Sequence, residues 1–151
     1  MRYASVTGRW VARWSRGVGH PGRPDGSGAV LDVLLVDDDA DVRLLLGLQL
    51  RAAGHQVRSA ATVEEALLAS VERRPDLLLL DVDLGCGRTG GELVALLDRG
   101  VGRPPSVCLL SGAPADTLVP LAARLGVGYL AKPVARPALR AVLDRAGLAH
   151  R

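Results

Sequence analysis

The sequence predicts an α/β fold, a five-stranded parallel sheet with helices on both faces. Three observations predict it. Strand-like and helix-like segments alternate strictly, five times each, and parallel strands need such crossover connections. Leu77-Leu78-Leu79-Leu80 is a run of four leucines between Pro75 and a Gly-rich loop, the pattern of a strand buried on both faces. Four of the five predicted strands end on a polar group, which places those groups along one edge of such a sheet.

The elements follow in order. Residues 31–36 form an apolar strand interrupted only by Asp32, and it runs into Asp37-Asp38-Asp39. A helix over 40–53 comes next. Val42, Leu45, Leu46, Leu48 and Leu50 are expected to give it a wide apolar face, Asp39 caps its start, and Gly54 is placed to end it. Residues 56–60 form a short second strand. Thr62 and Glu65 fit a capping box that opens a helix through about residue 73. The leucine strand then ends on Asp81. Gly90-Gly91 leads into a third helix over 92–99, and Ser106 starts a fourth strand that ends at Ser111-Gly112. Pro114 suits the first turn of a helix over 115–125. A fifth strand over 127–131 ends on Lys132-Pro133, and a last helix covers 137–146.

Charge and composition exclude several classes. The 151 residues suggest one domain, and 48% hydrophobic residues suffice for a core. The chain is basic, but unevenly so. Residues 1–30 hold five arginines and one aspartate, whereas the remainder holds 14 basic and 15 acidic residues. A nearly neutral body offers no electrostatic footprint for nucleic acid, so direct DNA binding is not expected. Residues 1–29, rich in Arg, Gly, Ser and Pro, read as a disordered basic extension, with residues 30–151 as the folded domain. Trp10 and Trp14 stand four apart between arginines and would share one face if that stretch were helical. No segment approaches 18 apolar residues and no signal-peptide core stands at the N-terminus, so no membrane span is expected and a cytoplasmic location is. Cys86 and Cys108 form neither a metal motif nor a disulfide framework.

Two biases single out residues. Lys132 is the only lysine among 19 basic residues, and Tyr129 is the only aromatic residue after Trp14. In a doubly wound, flavodoxin-like sheet of order 2-1-3-4-5, the first and third strands are neighbours. That order gathers Asp37, Asp38 and Asp81 at one crevice. Three carboxylates there repel one another, and a hard divalent cation such as Mg2+ relieves the repulsion through oxygen ligands. Lys132 and Ser111 supply a positive charge and a hydroxyl, which suit a phosphoryl group beside the metal.

The ordered set Leu34-Leu35-Val36-Asp37-Asp38-Asp39, Leu77-Leu78-Leu79-Leu80-Asp81, Leu109-Leu110-Ser111-Gly112-Ala113 and Tyr129-Leu130-Ala131-Lys132-Pro133 resembles the receiver domains of two-component response regulators, the stand-alone chemotaxis type included. The resemblance covers residues 31–146. It implies a phosphoacceptor switch with Asp81 as acceptor. Asp38 would bind Mg2+ directly, Asp37 largely through water, and Asp83 through its backbone carbonyl. Ser111 and Lys132 would contact the phosphoryl oxygens, and Tyr129 would swing inward on activation. The Lys132-Pro133 peptide would be cis. The partners implied are a sensor histidine kinase or a histidine phosphotransfer protein, with no turnover of external substrates. No output domain follows the last helix, so a stand-alone receiver is expected.

The sequence departs from the family pattern after Asp81. Gly85 stands where the family often has proline, and the loop to Gly90 is one residue longer than in many members. The Asp83 side chain is a candidate for tuning hydrolysis. Two rival readings remain. One is a degenerate receiver that binds a partner without phosphorylation. The other is a haloacid dehalogenase-like phosphatase using Asp81-Val82-Asp83, whose acidic pair would have to follow the lysine rather than precede the nucleophile.

Overall fold

A computed structural model describes residues 28–150. The expected basic extension, with Trp10 and Trp14, falls outside them through residue 27. Five strands and five helices alternate: β1 (Asp32–Val36), α1 (Ala40–Ala52), β2 (Gln56–Ala60), α2 (Val63–Glu72), β3 (Leu77–Asp81), α3 (Gly90–Arg99), β4 (Ser106–Ser111), α4 (Ala115–Leu125), β5 (Gly128–Ala131) and α5 (Arg136–His150). All strand pairs are parallel, as the alternation predicts, and the order β2-β1-β3-β4-β5 is the flavodoxin-like one expected.

The leucine run works because side chains alternate across a strand. Leu78 and Leu80 join the core beneath α2, α3 and α4, with Leu34, Val36, Leu93, Leu97 and Leu118. Leu77 and Leu79 join the opposite core beneath α1 and α5, with Leu35, Leu50, Leu139 and Leu143. A strand covered on both faces has no use for polar alternation, hence four leucines in succession.

Asp32, the one charge in β1, is buried at the strand's N-terminal end. Arg58 from β2 grips it with Nε at 3.1 Å and Nη2 at 3.0 Å, and Arg73 adds Nε at 2.6 Å. The Asp32 N–H donates to Asp76 Oδ2 at 2.7 Å.

Capping residues set most helix starts. Asp39 Oδ1 accepts from the N–H groups of Asp41 and Val42. Thr62 accepts from Glu65 N–H while Glu65 reaches back to Ala61 N–H. Thr89 accepts from Glu92 N–H, and this cap draws Gly90 and Gly91 into α3, two residues before the expected start. α5 continues to His150 rather than stopping at 146, with His150 Nδ1 2.9 Å from Asp76 Oδ1. β5 begins at Gly128 because the Val127 N–H bonds to Ala122 at the end of α4 and not to the sheet.

The apolar face expected for α1 is corrected. Leu46, Gly47 and Leu50 are buried, but Leu45 is 59% and Leu48 55% exposed, alongside Leu44 at 59%. At about 100° per residue, Leu48 lies on the far side of the helix from Leu46, and only one stripe of α1 meets the sheet.

The long loop after β3 folds on itself. Asp83 pairs with Thr89, Leu84 N–H donates to Arg88, and Arg88 N–H donates back to Gly85. Cys86 and Gly87 at the tip have φ of 51° and 75°, positive at both central residues as a type I′ turn requires. Gly85 has φ of 73°, which proline's ring forbids, so the departure from the family pattern belongs to this path. Arg88 ties the turn to Glu64 of α2 and Glu92 of α3 at 3.0 and 3.1 Å. Asn-Gly is the preferred dipeptide of such a turn. Cys86→Asn is therefore expected to stabilise the domain by about 0.5–1 kcal/mol in urea denaturation, because asparagine tolerates the left-handed conformation better than cysteine. Among the described residues, no helix is long and apolar enough to cross a membrane.

Candidate functional site

The register of the sheet assembles the site. Val36 pairs with Leu80, so Asp37 stands level with Asp81. Asp81 pairs with Leu110, which puts Ser111 one step further along β4. Ser111 pairs with Ala131, which puts Lys132 one step beyond β5. Neighbouring strands thus carry Asp37, Asp81, Ser111 and Lys132 to one edge, and Asp38 follows from the β1–α1 corner.

Asp37 is fully buried and both its carboxylate oxygens have partners. Oδ1 accepts from Asp39 N–H at 2.9 Å, and Oδ2 accepts from Lys132 Nζ at 2.6 Å. Lys132 Nζ also stands 3.2 Å from Asp81 Oδ2, so the lysine bridges two acids. Asp81 is 8% exposed and its Oδ1 accepts from Asp83 N–H at 3.3 Å. Burial, and after it the charge of Asp37, raise the Asp81 pKa from 3.8 to about 6, against the opposing pull of Lys132 and the Asp83 N–H. Burial alone would lower the Lys132 pKa. Its bonds to Asp37 and Asp81 outweigh that and hold it above the ordinary lysine value. Asp38 is exposed at the mouth.

Asp37, Asp38 and Asp81 each offer an oxygen within 4.8 Å of the others. Six-coordinate Mg2+ spaces neighbouring ligand oxygens about 3 Å apart and opposite ones about 4 Å apart, so this oxygen-only set fits the ion with waters completing the shell. Asp37, engaged on both oxygens, suits contact through water, whereas Asp38 is open to direct contact.

Ser111 is buried, and its Oγ accepts from Ala113 N–H at 3.0 Å. The Lys132 N–H donates to the Ser111 carbonyl at 2.8 Å, and the Lys132-Pro133 peptide is cis. Tyr129 on β5 is 46% exposed. Asp83 is exposed too, and its Oδ1 takes up the Gly85 N–H at 2.9 Å, which commits that oxygen to the loop.

Two features lay outside the sequence reading. Arg43 Nη1 donates to the Asp37 carbonyl at 2.7 Å, which ties α1 to the end of β1. Its signal was an arginine among the acidic residues around the helix start. The other is the closeness of α3 to β3. A Cβ built on Gly90 would lie 2.5 Å from the Asp81 carbonyl oxygen and 3.0 Å from Leu80 Cγ. Only glycine lets α3 begin this close to Asp81. Gly90→Ala is expected to cost about 1–3 kcal/mol in urea denaturation, as overpacking does. Gly91→Ala, whose built Cβ meets nothing nearer than 3.8 Å, should be nearly neutral.

The sequence matches the family described as "Response regulator receiver domain" over residues 33–144. The transcriptional regulatory protein AfsQ1 of Streptomyces coelicolor is 37% identical over 118 residues, which cover 75% of this chain and 51% of that protein. The nitrogen assimilation regulatory protein NtrX of Azorhizobium caulinodans is 30% identical over 116 residues, which cover 76% of this chain and 26% of that protein. This chain thus spans about half of the first relative and about a quarter of the second. Among solved structures, the chemotaxis protein CheY4 of Vibrio cholerae aligns with a TM-score of 0.69 at 28% identity, over 78% of this chain and 99% of that one. The receiver domain of NtrX from Brucella abortus aligns with a TM-score of 0.69 at 31% identity, over 76% of this chain and 97% of that one.

Proposed function

The chain belongs to the response regulator receiver domain family, and from that premise we propose that it is a phosphoacceptor switch whose acceptor is Asp81. The observation that carries this reading is the buried Asp81 carboxylate, 3.2 Å from Lys132 Nζ and within 4.8 Å of the Asp37 and Asp38 oxygens. A carboxylate so placed is a nucleophile with a cation ready for the charge that arrives. An Asp81 oxygen bonds to phosphorus as the N–P bond of a donor phosphohistidine breaks, and the electron pair of that bond stays on the imidazole. The donor is a sensor histidine kinase or a histidine phosphotransfer protein.

Mg2+ held by Asp38, by the Asp83 carbonyl and through water by Asp37 would neutralise charge on the transferring group. Lys132 exchanges its contacts with Asp37 and Asp81 for the phosphoryl oxygens. Ser111 turns its hydroxyl from the Ala113 N–H to the phosphoryl group, and the Tyr129 ring swings inward into the space left behind. The surface of α4, β5 and α5 changes in consequence, which is a charge change biasing a two-state element. The exposed Leu44, Leu45 and Leu48 of α1, the helix that follows Asp37 and Asp38, offer an apolar face for the approaching donor.

Intact-mass spectrometry after incubation with acetyl phosphate and Mg2+ tests the reading. One added phosphoryl group is expected on the parent, none on Asp81→Asn, and none on the parent when EDTA is present throughout. No adduct on the parent, under conditions that modify a known receiver, sinks it in favour of a phosphorylation-independent binding module.

A further inference from the structure

Arg43 occupies a seat that helix packing assigns to an apolar side chain. Residues 43, 46, 47 and 50 follow the i, i+3, i+4, i+7 spacing of one helix stripe, and Leu46, Gly47 and Leu50 of that stripe are buried against the sheet. The helix start carries acids at Asp39 and Asp41. A half-buried arginine in this seat needs a partner for its guanidinium, and its partner is the carbonyl of Asp37, 2.7 Å from Nη1.

That carbonyl is the pivot of the β1–α1 corner. The N–H of Asp37 is fixed to the Ala60 carbonyl of β2, and its side chain is fixed by Asp39 and Lys132. The peptide joining Asp37 to Asp38 begins at the carbonyl Arg43 holds, so Arg43 sets the direction in which Asp38 leaves the strand.

We infer that Arg43 is a positioning residue of the metal site, holding the corner that presents Asp37 and Asp38 to a divalent cation. The inference rests on the metal-assisted switch proposed above. Groups that orient ligands without touching the metal commonly change metal affinity by 10- to 100-fold when removed. The effect here should stand at the lower end, about tenfold, because a single hydrogen bond to backbone is lost.

The test titrates Mg2+ into the full chain by calorimetry, then measures the extent of phosphorylation by acetyl phosphate across Mg2+ concentrations. Arg43→Met is the informative variant, since an unbranched apolar side chain suits the buried stripe while offering neither donor nor charge. Its Mg2+ midpoint should rise about tenfold, with the phosphorylation plateau at saturating Mg2+ near that of the parent. Arg43→Lys should recover most of the midpoint. Val142→Ala, a cavity in the opposite part of the same core, should lower the melting temperature and leave the midpoint alone. An Arg43→Met midpoint within twofold of the parent overturns the positioning role while leaving the switch intact, and so does a midpoint that follows the melting temperature in Val142→Ala as well. A parent that neither binds Mg2+ nor takes a phosphoryl group overturns the switch, and the role of Arg43 with it.

Discussion

Asp81→Asn is expected to stabilise the metal-free protein by about 2 kcal/mol at pH 7.5 and by well under 1 kcal/mol at pH 4, while abolishing phosphorylation. The stabilisation follows from the same arrangement on which the proposed acceptor role of Asp81 rests. Its carboxyl is buried and faces Asp37, so its pKa stands at about 6 in the folded chain against 3.8 when solvated. A carboxyl raised in this way binds its proton more tightly in the folded state. Between about pH 4 and 6 the folded protein holds a proton that the unfolded chain has released, so stability falls as pH rises through that window and levels off above it. About two pKa units correspond to about 3 kcal/mol, reduced here because Asp81 is partly reached by water and asparagine gives up the contact with Lys132. Urea denaturation of parent and variant in EDTA at the two pH values measures the difference. An equal difference at pH 4 and pH 7.5 would mean that ionisation of Asp81 is not what the fold resists. Adding Mg2+ should narrow the gap at pH 7.5, because a cation that favours the ionised acid stabilises the parent more than the variant.

The parallel sheet was legible because its strands alternate with helices and β1, β3 and β4 are written in a two-sided code, whereas its order followed from the flavodoxin-like pattern. Leu77 to Leu80 cannot be an amphipathic element of either kind, and Pro75 and the glycines fix its ends. The gathering of Asp37, Asp81, Ser111 and Lys132 was legible for a topological reason: parallel strands deliver all their C-terminal ends to one edge, whatever the side-chain detail. The α1 face was misread because leucine content was taken for orientation. Leu44, Leu45 and Leu48 are as apolar as Leu46 and Leu50, and only the helical angle separates them. Helix ends moved where a cap outweighed a glycine, as Thr89 does for Gly90 and Gly91. Arg43 and Gly90 were missed for a different reason, since an arginine among the acids of the helix start is a weak signal for the first and nothing marks the second. One acts through a backbone carbonyl and the other through the absence of a Cβ against Asp81. Neither a hydrogen bond to backbone nor a close approach between α3 and β3 leaves a pattern in side-chain type.

Asp32 shows the same limit at the opposite end of the sheet, and it carries the second large expected effect. In sequence it is a lone charge interrupting a strand. In the fold its side chain is 9% exposed and receives Arg58 and Arg73, themselves 21% and 15% exposed. Arg58 also donates to the Ala69 and Arg73 carbonyls at 2.6 and 2.8 Å, so it caps the C-terminal end of α2, a helix with no basic residue in its last turn. One carboxylate therefore holds β1, β2 and the end of α2 together. Asp32→Ala takes from Arg58 and Arg73 the buried carboxylate they share, and removing one partner of such a group costs about 3–5 kcal/mol. The lower figure applies, because Arg58 keeps its carbonyl acceptors. Urea denaturation should show a loss of about 3 kcal/mol for Asp32→Ala and a smaller loss for Arg58→Met, after which Asp32 keeps Arg73. Asp32→Val combined with Arg58→Met and Arg73→Met should recover part of the first loss, since an apolar replacement of the whole group leaves no charge buried alone. Asp32 lies at the far end of β1 from Asp37, so the fraction of folded protein that acetyl phosphate modifies should be the same in Asp32→Ala as in the parent. A variant that keeps its stability would show the arginines finding water instead. One that keeps its fold yet loses phosphorylation would show that the two ends of β1 are coupled through the strand.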